Sequence, residues 1–94
     1  MSTSARERRW AVIGSDGRHI WLGRHTDPTE KELTRVAEGL AETGTPGWLA
    51  VTEGVYYSNE ELDVMMVRPL WGAGDWQDAV AAFRERRRRV LKPG

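Results

Sequence analysis

The chain has 94 residues, 14 Lys plus Arg against 14 Asp plus Glu, five Trp and no Cys. That length supports one domain, and the missing cysteines exclude disulfides, thiolate metal sites and a cysteine nucleophile. An apolar content of 39% with 30% charged residues is that of a folded globular domain, not a disordered chain.

Met1 to Arg9 is polar and basic and lacks the apolar stretch of a secretory signal. No apolar run approaches the roughly 20 residues that span a bilayer. The expectation is a cytoplasmic protein with no membrane role, a disordered tail over 1–7 and a single domain over 8–92.

Trp10-Ala11-Val12-Ile13 predicts a strand over 8–14, and Arg18 to Gly23 a second over 18–24. Gly14-Ser15-Asp16-Gly17 between them carries the Asp-Gly pair of a tight hairpin.

A helix is expected over 28–43. Asp27 is read as its N-cap, Pro28 as its first residue and Glu30 as the capping-box partner. Leu33, Val36, Ala37, Leu40 and Ala41 form its apolar stripe, with Gly44 and Pro46 as stop signals. Gly39 is read as a place where this helix packs close to the sheet.

Strands are expected over 47–53 and 62–70. In the latter, Val64-Met65-Met66-Val67 is apolar at consecutive positions, as in an inner strand or one with a covered second face. Asp75 then caps a helix over 75–91, whose stripe is Trp76, Ala79, Val80 and Phe83 and whose end carries Arg84, Arg86, Arg87, Arg88 and Arg89.

The order ββαββα reads as one ββα unit written twice. One unit cannot bury its own faces, so the expected fold is α+β, a four-stranded antiparallel sheet with two helices packed on one face. Alternation then puts Ala11, Ile13, Ile20, Leu22, Leu49, Val51, Met65 and Val67 on the helix side. The other side carries Trp10, Val12, His19, Trp21, Trp48, Ala50, Thr52, Val64 and Met66.

An open face with three tryptophans predicts an association surface of Trp10, Trp21, Trp48, Val64 and Met66. The functional expectation is a non-catalytic interaction or regulatory module that forms a homodimer, or binds another protein, through that face. The alternative is a nucleic-acid binder. Arg84, Arg86, Arg87, Arg88 and Arg89, with the N-terminal Arg6, Arg8, Arg9, Arg18 and Arg24, would then contact phosphates, and Trp or Tyr side chains would stack on bases.

An enzyme ranks below both readings. His19 and His25 match no ligand spacing, Glu60, Glu61 and Asp63 read as solvated loop carboxylates, and no nucleophile motif is present. No cofactor and no metal are expected. The zero net charge conceals an asymmetry: residues 1–26 carry +3, residues 27–63 carry −7 and residues 64–94 carry +4. Any contact with an anionic partner is therefore local.

Overall fold

The structure, a computed structural model, describes residues 7–23, 27–56 and 60–91. The elements follow the expected order: β1 (Glu7–Gly14), β2 (His19–Gly23), α1 (Glu30–Thr43), β3 (Gly47–Gly54), β4 (Asp63–Trp71) and α2 (Trp76–Leu91). The fold is α+β. All three strand pairings are antiparallel and form one sheet in the order β2-β1-β3-β4. Glu7, expected in the tail, opens β1 instead, while the expected tail over 1–6 and the chain end over 92–94 lie outside the described residues. No helix among the described residues is long and apolar enough to cross a membrane.

Local chemistry explains the joints. In the first hairpin Gly17 takes φ 86°, and Gly14 N–H donates to the Arg18 carbonyl at 2.8 Å. Helix α1 starts two residues later than expected. Thr29, not Asp27, is its N-cap, because Thr29 and Glu32 can bond each other's backbone N–H reciprocally, at 3.2 and 3.3 Å. Gly44 closes the helix at φ 68°, the left-handed conformation that favours glycine. Asp75 caps α2 as expected and accepts from Gln77 N–H at 2.8 Å.

The helices do not share a face of the sheet, and this corrects the expected packing. In the β1–β3 register Ala11 faces Ala50 and Ile13 faces Trp48, whereas Trp10 faces Val51 and Val12 faces Leu49. The first set packs with Ala79 and Phe83 of α2. The second side holds Trp10, Leu49 and Val51, packed with Leu33 of α1. One helix therefore covers each face, and α1 lies against β4 while α2 lies against β1. Each helix so covers strands of the other ββα unit, which makes the two units depend on each other.

Two-sided coverage explains the burial. Trp10 to Ile13 and Gly47 to Thr52 are buried at every position, without alternation. β4 is an edge strand beside β3, not an inner one; of its apolar run Val64 and Val67 are partly buried, whereas Met65 and Met66 are exposed. Trp76 is likewise exposed instead of joining the stripe of Ala79, Val80 and Phe83. A Cβ added at Gly39 would meet nothing within 4 Å outside its own helix; the close approach of α1 to the sheet occurs at Gly47, where a Cβ would come within 2.6 Å of Leu40 Cδ1.

Candidate functional site: a basic cleft between the first hairpin and the last helix

The expected tryptophan layer does not form. Trp10 is 9% exposed on the α1 side and Trp48 is 5% exposed on the α2 side, so the two point through opposite faces of the sheet into separate cores. Trp21 is half-buried on the α2 side, and Val64 packs against that same core. Of the five residues expected to form one surface, Met66 alone is exposed, at 52%.

What the fold gathers instead lies where β2 and α2 meet. Gly17 in the hairpin turn sits against the backbone of Ala82, so close that a Cβ would lie 2.6 Å from its carbonyl carbon. This contact seats the turn on α2. One helical turn beyond Ala82, Arg86 faces the start of β2, and Val90 follows one turn later. The result is an open cleft of about 420 Å³ lined by Arg9, Arg18, His19, Trp21, Tyr56, Arg86, Arg87 and Val90.

The cleft has an aromatic wall. His19 stands edge-on to Trp21 and to Phe83, each with centroids 5.0 Å apart, and Trp21 meets Tyr56 at the same spacing and in the same T-shaped manner. Tyr56 is fixed from below. Its hydroxyl hydrogen-bonds the Thr52 side chain, whose own hydroxyl is 3.2 Å from the Arg9 carbonyl oxygen. Burial, opposed by these bonds and by Arg9, holds the Tyr56 phenol above its ordinary 10.0, so it stays neutral.

The four arginines differ in how far they are already engaged. Arg9 is buried, bonds Glu7 at 3.2 Å and covers the Tyr56 ring. Arg87 ties α2 to the loop after β3, donating to the carbonyls of Val55 at 3.1 Å, Tyr56 at 3.4 Å and Glu60. Arg18 pairs with Asp16 at 3.3 Å on the exposed surface. Arg86 is exposed and makes no hydrogen bond or ion pair with another described residue.

His19 feels this environment. Burial, and then the charge of Arg86, lower its pKa below the ordinary 6.5. The imidazole is therefore neutral at pH 7 among four cations.

The remaining arginines of the C-terminal run lie elsewhere. Arg84 donates to the Leu62 carbonyl at 3.3 Å. Arg88 pairs with Glu61 and Glu85, and Arg89 with Glu85. Arg8 pairs with Glu53 at 3.6 Å. Arg6, Arg24 and His25 lie outside the described residues.

The run expected to act as one patch thus divides into a structural set and the two cleft residues, Arg86 and Arg87. Tyr56 falls in the loose connection over 54–61, and the sequence offers tyrosines as base-stacking groups without singling this one out. Its only signal was an aromatic residue four positions after Thr52. Among the described residues no group of three His, Asp or Glu side chains is arranged to hold a metal ion.

Comparison with protein-family models, curated proteins and solved structures finds no match to this chain.

Proposed function

We propose that this protein is a non-catalytic binding module whose partner is single-stranded nucleic acid, bound at the cleft between β2 and α2. One observation carries the reading: Arg9, Arg18, Arg86 and Arg87 converge with His19, Trp21 and Tyr56 on one open cleft of about 420 Å³. Guanidinium groups neutralise phosphates, and aromatic rings and arginine planes stack on unpaired bases. The cleft is recessed, whereas duplex readers present a helix or ribbon that enters a groove. A cytoplasmic location belongs to the same proposal.

Fluorescence anisotropy with a labelled thymidine oligonucleotide tests this. The expected result is binding at low salt that weakens as salt rises, with a logarithmic slope of about −0.7 per phosphate neutralised. A duplex of equal length binds less tightly. Absence of binding at low salt overturns the proposal.

Self-association is a second reading, moved from the tryptophans to the edge of the sheet. β4 is an edge strand whose Met65 and Met66 are 56% and 52% exposed. Sedimentation of the wild type and of Met66→Lys tests it. A dimer that the substitution dissociates supports this reading, and a monomer at high concentration removes it.

A further inference from the structure

The geometry points to a phosphoryl-group subsite within the cleft, formed by Arg86 and His19, at which His19 takes up a proton as the anion binds. The inference rests on the reading of the cleft as an anion site and adds which group is held and how its binding is regulated.

His19 opens β2, and Arg86 lies on α2 one turn past Ala82, the residue against which Gly17 is seated. Both side chains line the cleft. The other cleft arginines are engaged: Arg9 with Glu7 and Tyr56, Arg18 with Asp16, and Arg87 with main-chain carbonyls. Arg86 has no such tie to another described residue. Its guanidinium offers a fork of N–H donors suited to two oxygens of one phosphoryl group.

Among the described residues, the charged and titratable groups around His19 are Arg9 and Glu7 on β1, Asp16 and Arg18 in the turn, Tyr56 after β3, and Arg86 and Arg87 on α2. Glu7 and Asp16 are each paired with an arginine, so among the described residues no carboxylate offsets the charge that Arg86 presents to His19. Without a ligand, burial and that cation keep the imidazole neutral. An anion bound to Arg86 reverses the balance, cancelling the repulsion and offering the imidazolium an acceptor. Affinity must then rise as pH falls through the pKa of the bound state, and level off below that of the free state. Each unit by which binding raises the pKa gives about a tenfold gain in affinity.

Two probes that do not titrate between about pH 5 and pH 8 measure this: sulfate, and a thymidine oligonucleotide without terminal phosphate. Isothermal titration across that range gives affinity and proton uptake. For the wild type, affinity is expected to rise about tenfold on acidification with uptake of up to one proton. His19→Gln is expected to bind with the alkaline affinity at every pH. Arg86→Gln is expected to weaken binding about tenfold and to raise the His19 pKa in the free protein, read by NMR of the ring.

Proton-linked binding of both probes, lost in His19→Gln, supports the subsite. The same result with sulfate alone supports it while overturning the nucleic-acid reading, and with the oligonucleotide alone it supports it with a strand as the phosphate source. Binding that is independent of pH, or a pH dependence that survives in His19→Gln, overturns the subsite and leaves the nucleic-acid reading standing. Failure of both probes to bind overturns both.

Discussion

The guanidinium of Arg9 lies over the Tyr56 ring, 4.1 Å from its centre, and forms the floor of the basic cleft. A buried cation is tolerated there because Glu7 bonds it at 3.2 Å and the ring presents its electron-rich face. Tyr56→Phe keeps the ring but removes the hydroxyl bonded to Thr52. It is expected to cost about 1 kcal/mol. Tyr56→Leu also removes the ring beneath Arg9 and is expected to cost at least about 1 kcal/mol more. Urea unfolding checks both: the midpoint should fall while the slope is unchanged.

Arg86 and Arg87 are neighbours with opposite expected phenotypes. Arg87→Ala frees three carbonyls of the loop that carries Tyr56, and a loss of roughly 2 kcal/mol in stability is expected. Arg86→Ala should stay within about 0.5 kcal/mol of the wild type, while ligand affinity falls. Denaturation and binding measured on the same preparations separate the two roles. Equal stability losses would contradict the assignment.

Trp10 and Trp48 occupy separate cores, one under each helix. Truncation of either to Ala is expected to destabilise the fold by about 3–5 kcal/mol. Loss of self-association without loss of stability would instead mean that they form a surface. Thermal melting and sedimentation of the two variants decide between these outcomes.

Gly17 and Gly44 both have positive φ, 86° and 68°, but different surroundings. At Gly44 nothing lies within 4 Å of an added Cβ, so Gly44→Ala pays only backbone strain, about 1 kcal/mol. At Gly17 the Cβ would meet the backbone of Ala82 as well. Gly17→Ala is therefore expected to cost more than Gly44→Ala, and also to weaken binding, because it lifts the hairpin turn from α2. Calorimetry ranks the pair.

The lowered pKa of His19 fixes the sign of one pH effect. Burial and Arg86 favour the neutral ring in the folded chain. The unfolded chain binds the proton first as pH falls below about 6.5, the ordinary histidine value. Above that pH the group has no effect. Below it, stability declines, and the decline ends once pH is below the folded-state pKa. His19→Gln should remove that part of the acid-side slope. Urea midpoints of wild type and variant at a series of pH values test this, and identical profiles would contradict it.

Much of the fold was legible because its signals are local. The Asp16-Gly17 turn, the Gly44 stop and the Asp75 cap each satisfy nearby backbone groups, so a few residues suffice to specify them. The one cap read wrongly, at Asp27, failed through competition between neighbours: Thr29 and Glu32 form a reciprocal pair that a start at Asp27 cannot make. Both the basic run and the N-terminal arginines were visible. Their division into loop ties, surface pairs and cleft cations was not, since it depends on which carbonyl or carboxylate each meets across the fold.

The sequence by itself determined the element order ββαββα, the α+β class and the concentration of positive charge at the two ends of the chain. Only the tertiary structure decided which residues share a face. Alternation distinguishes two faces when one of them is wet, and β1 and β3 are covered on both sides. Neither strand's own pattern then fixes the register that sets Ala11 opposite Ala50, and a shift of one residue exchanges the faces. That register sends Trp10 and Trp48 into opposite cores and leaves the α2 side of β2, with His19 and Trp21, to form the cleft with Arg86.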